Sequence, residues 1–149
     1  MSKSSTSSVF PDVKVWLALS TRDHQHFQRA WKWYTTLSEQ ATLFFCRTTQ
    51  LGFLRLLTTQ SVMGQGTLTQ ADAWKAYDRW IEDAGAKFAE EPVEMESVFR
   101  SMTAAAQASP KDWVDSYLAA FAESAELTLV TFDRALAAKA KGAVLLEVS

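Results

Sequence analysis

The chain has 149 residues, 48% of them hydrophobic and 21% charged, with a formal net charge of −2. That is the balance of one ordinary globular domain, not of a disordered chain, and it gives no general affinity for nucleic acid. A single cysteine, Cys46, excludes an internal disulfide and a cysteine-based metal framework, and no apolar run approaches the roughly 18 residues of a membrane span.

Residues 1–8 are polar and Ser-rich, with one lysine and no apolar stretch behind them. They predict a flexible tail, no secretory signal and a cytoplasmic location. Val9-Phe10 form a short apolar run ending at Pro11-Asp12, and residues 13–19 are apolar up to the turn residues Ser20, Thr21 and Asp23. Between 24 and 39, Phe27, Ala30, Trp31, Tyr34 and Leu37 recur at helical steps and predict an amphipathic helix. Residues 43–46 suit a buried strand. Thr48-Thr49 suit the cap of a helix with Leu51, Leu54 and Leu57 on one face. Gly64 and Gly66 break the chain, and Thr69 caps a helix carrying Ala73, Trp74, Tyr77, Trp80 and Ile81. Residues 87–89 predict a short strand, and Met95, Val98, Phe99 and Met102 a helical stripe. Ser109-Pro110 open a helix with Trp113, Tyr117, Leu118 and Phe121 turned inward. Residues 127–131 form the clearest strand, followed by an Ala-rich helix from Arg134 and a last strand over 143–148. Strands alternating with helices predict an α/β domain with a mainly parallel sheet, spanning 9–149 without an internal linker.

Ligands of an open α/β sheet sit beyond the carboxyl ends of its strands. Asp12 directly follows the first apolar run and Asp133 stands two residues past the strand ending at Thr131. Asp115 lies in the first turns of a helix and Gln50 near the start of another. These four side chains can converge on one sheet edge. Clustered carboxylates raise one another's pKa unless a cation neutralises them. A hard divalent ion does so through oxygen ligands and activates water for phosphodiester cleavage. The sequence has no zinc-type ligand set and no phosphate-cradling glycine loop. Taken singly, Asp12 also reads as a helix cap, Asp115 as a charge in a helix's first turn and Asp133 as a turn residue. Asp112 shares the helical face of Asp115 and reads mainly as an N-terminal helix charge. His24 and His26 can shuttle protons but lie at a helix start and read mainly as surface or capping residues, and Arg47 and Arg55 as ordinary surface charge or as contacts to phosphate or acidic partner residues. Trp31 and Trp33 cannot share one helix face, and six tryptophans exceed what one small core needs, which points to an aromatic interface.

The stretch Phe10-Pro11-Asp12-Val13-Lys14-Val15-Trp16-Leu17-Ala18-Leu19 resembles the opening of PIN-domain ribonucleases, especially VapC-like toxins of toxin–antitoxin pairs. Thr48-Thr49-Gln50-Leu51-Gly52-Phe53-Leu54-Arg55 is similar to the second block of that family, Val114-Asp115-Ser116-Tyr117-Leu118 to the third and Leu129-Val130-Thr131-Phe132-Asp133 to the fourth. The blocks run in order over nearly the whole chain. The resemblance implies a three-layer α/β/α sandwich with a central parallel sheet and Mg²⁺- or Mn²⁺-dependent endoribonuclease activity. It implies a VapB-like antitoxin and a homodimer, while the lack of a long apolar run predicts no membrane association. It assigns metal binding to Asp12, Asp115 and Asp133, a supporting hydroxyl to Thr131 and an assisting role to Gln50. Two positions depart from the pattern. Gln50 stands where the family usually has Glu, and Lys14 where it usually has Asn. Lys14 can pair with Asp12 or Asp133, compete with the metal or bind RNA phosphate. These departures leave open a second class of function, a PIN-like binding module with an impaired metal site.

Overall fold

The computed structural model describes residues 7–148. Most of the expected tail lies outside the described residues. Ser8 opens the first strand, which therefore begins one residue earlier than expected.

Strand β1 (Ser8–Pro11) is central. Parallel strands β2 (Thr42–Phe45) and β4 (Thr128–Thr131) flank it, with β3 (Lys87–Phe88) outside β2 and β5 (Val144–Leu145) outside β4. The order is β3-β2-β1-β4-β5, and every pairing is parallel. Parallel sheets bury both faces, and the period of two does this here. Val9 and Val130 enter one core, while their neighbours Phe10 and Leu129 enter the other.

The first core lies under α1 (Val13–Ser20), α2 (Phe27–Thr35), α3 (Arg47–Leu57) and α5 (Gln70–Glu82). Its centre is Trp16, fully buried and stacked on Phe45 at 3.8 Å between ring centroids. The Trp80 indole N–H donates to Ser20 Oγ at 2.8 Å, satisfying a polar group at the rim of this core. Gly52 permits the close approach of α1 and α3, because a Cβ there would stand 2.7 Å from Val13 Cγ2. The short α4 (Gln60–Met63) connects α3 to α5. It follows the Thr58-Thr59 step and has no apolar periodicity of its own, which is why the sequence shows only the glycine break after it. The second core lies under α6 (Met95–Met102), α7 (Asp112–Ala125) and α8 (Arg134–Lys139). The whole is the expected three-layer sandwich.

Several boundaries differ from the expectation. Helix α2 covers 27–35 rather than 24–39, because His24 Nδ1 accepts from the His26 backbone N–H at 3.0 Å and holds a turn before it. Thr49 supports α3 from inside its first turn, accepting from the Cys46 N–H at 2.9 Å. Thr69 caps α5 as expected, accepting from the Asp72 N–H at 3.1 Å. Leu51 and Trp113 are exposed rather than inward. Trp33 is buried and Trp31 exposed, as two rings on opposite faces of one helix must be. Strand β5 is two residues long rather than the expected 143–148, and the Leu146 N–H still donates to Thr131 O at 2.8 Å, so the pairing with β4 runs up to that residue.

Candidate active site

Strands β2 and β3 extend the sheet on one side of β1, and β4 and β5 on the other. The carboxyl edge between β1 and β4 is therefore the topological switch point, where open α/β sheets present a crevice. Asp12 sits at that edge. Its backbone N–H donates to Val130 O at 2.9 Å, carrying the β1–β4 pairing up to the acid. Its Oδ1 accepts from the N–H groups of Lys14 (3.1 Å) and Val15 (3.2 Å), capping α1. The Thr131 hydroxyl donates to Oδ2. Asp12 is 8% exposed. Burial raises its pKa above 3.8, opposed by the Thr131 hydroxyl, the two backbone donors and the Lys14 charge.

Asp133 follows β4 on the same edge. Its N–H donates to Thr131 Oγ1 at 3.0 Å, and its Oδ1 caps α8 by accepting from Ala135 (2.8 Å) and Leu136 (3.2 Å). Asp115 projects from the first turn of α7, and all three acids line one cleft of about 680 Å³. Burial raises the pKa of Asp115, the repulsion of Asp133 adds to this, Lys139 opposes it and Asp112 adds again. Asp112 itself is occupied outside the cleft lining. It accepts from Ser109 Oγ at 2.5 Å and pairs with Lys139 at 3.8 Å, the helix-start role expected of it.

Among the described residues, no group of three or more His, Cys, Asp or Glu side chains stands close enough to hold an ion together. The acids line one cleft but do not close into a compact cage. Asp115 and Asp133 repel, while Asp12 is more buried and has both oxygens hydrogen-bonded. One or two carboxylates completed by waters and substrate phosphate is an ordinary Mg²⁺ set. The donors therefore fit a hard divalent cation.

The remaining expected residues divide. Thr131 touches both Asp12 and Asp133 and is fully buried. Gln50 is buried on α3 but does not line the cleft. Its Oε1 accepts from Arg47 Nη1 at 2.6 Å, and the Arg47 guanidinium lies 4.7 Å from the Phe88 ring centroid. Lys14 is exposed at the cleft and makes none of the ion pairs found among the described residues. His24 and His26 stand at the start of α2 as expected, and they line the cleft too. The usable signal is their position in the loop after α1, the helix that Asp12 caps.

Comparison with known proteins agrees with the fold. A PIN-domain family model matches residues 9–142. Ribonuclease VapC41 of Mycobacterium tuberculosis is 38% identical over 132 residues, covering 83% of this chain and 88% of that protein. The crystal structure of Mycobacterium tuberculosis VapC20, described as a sarcin-ricin loop cleaving toxin, aligns with a TM-score of 0.60 at 13% identity, over 88% of this chain and 94% of that one. FitAcB from Neisseria gonorrhoeae aligns with a TM-score of 0.56 at 17% identity, over 92% of this chain and 96% of that one. The chain belongs to the PIN-domain family and is a homologue of the VapC ribonucleases.

Proposed function

We propose that this chain is a divalent-metal-dependent endoribonuclease toxin of a toxin–antitoxin pair, with Mg²⁺ or Mn²⁺ as its metal. The observation that carries the reading is the convergence of Asp12, Asp115 and Asp133 on one cleft at the β1–β4 switch point. Asp12, Asp115 and Asp133 would hold the ion, with waters and substrate phosphate completing its shell. A bound ion would supply an activated water and offset charge on the phosphate under attack. Thr131 fixes Asp12 by donating to it and orients Asp133 by accepting from its backbone. Gln50 assists from beside the cleft by holding Arg47.

An impaired binding module has less support. Lys14 forms no ion pair with Asp12 or Asp133, and Gln50 stands outside the cleft lining, so neither blocks the carboxylates. The partners in this reading are an RNA substrate, a VapB-like antitoxin and a second copy of the chain. The unit is residues 9–149 acting as one domain in the cytoplasm, and no helix among the described residues is long and apolar enough to cross a membrane. RNA cleavage by the purified, antitoxin-free chain, dependent on added Mg²⁺ or Mn²⁺ and abolished by EDTA, tests the activity. Size-exclusion chromatography with light scattering tests the dimer.

A further inference from the structure

The acid cleft contains a second chemistry that metal binding does not use. The loop between α1 and α2 brings His24 and His26 to the cleft, and Phe132, the residue before Asp133, lines it as well. The His26 ring lies 5.0 Å from the Phe132 ring and 5.6 Å from the His24 ring, centroid to centroid. Accepting the His26 N–H at Nδ1 fixes the His24 ring and leaves Nε2 as its donor. Phe132 is anchored against the first core. The result is a braced row of three rings ending beside Asp133, with an exposed ammonium, Lys14, in the same cleft. Rings that only sealed the core would not need to line an open cleft beside an uncommitted lysine.

We propose that His26, braced on Phe132, and Lys14 form a nucleotide subsite beside the acids, where an unpaired RNA base rests on the rings and its phosphate meets the lysine. This rests on the reading of the cleft as an RNA-cleaving site. Every base offers a π-face, so such a ledge holds a nucleotide with little dependence on sequence. The base must be unstacked to reach it, which selects single-stranded or looped RNA over duplex. His26 acts here as a positioning residue and Lys14 as a point charge for phosphate.

The test uses full-length protein and a fluorescein-labelled single-stranded RNA of mixed sequence. In an Asp133→Asn background, which removes cleavage from the readout, His26→Ala is expected to weaken RNA binding about tenfold, in the range of one lost base–ring contact. His26→Phe is expected to restore it. In the wild-type background, His26→Ala is expected to raise KM about as much, with kcat within about twofold and the melting temperature unchanged. Unchanged RNA binding in Asp133→Asn/His26→Ala, or a fall in kcat at constant KM, overturns the subsite even if the chain cleaves RNA. Weakened binding rescued by phenylalanine, in a chain that cleaves nothing, keeps the subsite and removes the nuclease reading. No measurable binding in either background removes both.

Discussion

The Thr131 hydroxyl donates to the Asp12 carboxylate across the β1–β4 pair, and the same oxygen accepts from the Asp133 backbone at 3.0 Å. One fully buried side chain thereby ties the acid after β1 to the acid after β4. Its removal leaves a buried carboxylate short of a partner, which is more costly than losing an exposed hydrogen bond. Thr131→Val is expected to lower stability by about 1–3 kcal/mol in urea denaturation, while Thr131→Ser retains most of it.

The pH dependence has a defined sign. Burial raises the pKa of Asp12 above 3.8, and burial with the repulsion of Asp133 raises that of Asp115. The folded chain therefore binds these protons more tightly than the unfolded chain. Their contribution to stability is present in acid and is lost as pH rises from 3.8 through the raised folded values. Asp12→Asn is expected to reduce that loss, because the amide keeps an oxygen to cap α1 and carries no buried charge. A metal ion competes with the same protons. The rise in melting temperature produced by Mg²⁺ is expected to be larger near neutrality than at about pH 5, as differential scanning fluorimetry at the two pH values will read.

The sheet edge is legible in the sequence because a strand ending in an acid needs only short-range pattern. Pro11-Asp12 and Thr131-Phe132-Asp133 follow apolar runs, and the structure puts both acids at carboxyl ends of adjacent strands. The rotation of a helix about its axis is harder to read. Gln50 is buried, but its amide meets Arg47 rather than lining the cleft. Trp113 is aromatic, yet it is 55% exposed at the start of α7. Which face a helix turns inward depends on its partners, and those are set by tertiary packing more than by composition. The turn at the histidines is hard to read for a related reason. The expected helix starts at His24, while the His26 N–H, donating to His24 Nδ1, holds a turn there that places both histidines in the lining of the cleft.

Lys14 faces the cleft without an ion pair and contributes only a small attraction at Asp12, after burial and three hydrogen bonds. Because it is exposed, solvent screens its effect on a bound cation. Lys14→Asn is expected to raise Mn²⁺ affinity by about two- to fivefold in isothermal titration calorimetry. An unchanged affinity would show that this lysine does not compete with the metal.

Gly52 and Val13 couple the α1–α3 contact to the site, since Val13 directly follows Asp12 and lines the cleft. A methyl group at 52 meets Val13 at less than van der Waals distance. Gly52→Ala is expected to cost about 1–3 kcal/mol of stability, partly offset by the better helix propensity of alanine. Gly52→Ala combined with Val13→Ala is expected to recover part of the loss by chemical denaturation.

The most direct measurement is RNA cleavage by purified, antitoxin-free protein with Mg²⁺ or Mn²⁺, with EDTA, and with Asp133→Asn and Asp115→Asn in parallel. The amide introduced by Asp133→Asn retains an oxygen for the N–H groups of Ala135 and Leu136, so the fold of α8 is expected to survive the change. Cleavage is expected to require the metal and to fall at least about 100-fold in either variant, since even outer partners of metal ligands cost roughly 10- to 100-fold. Cleavage that persists in EDTA, or in folded Asp133→Asn and Asp115→Asn proteins at the wild-type rate, would contradict metal-dependent cleavage by these acids.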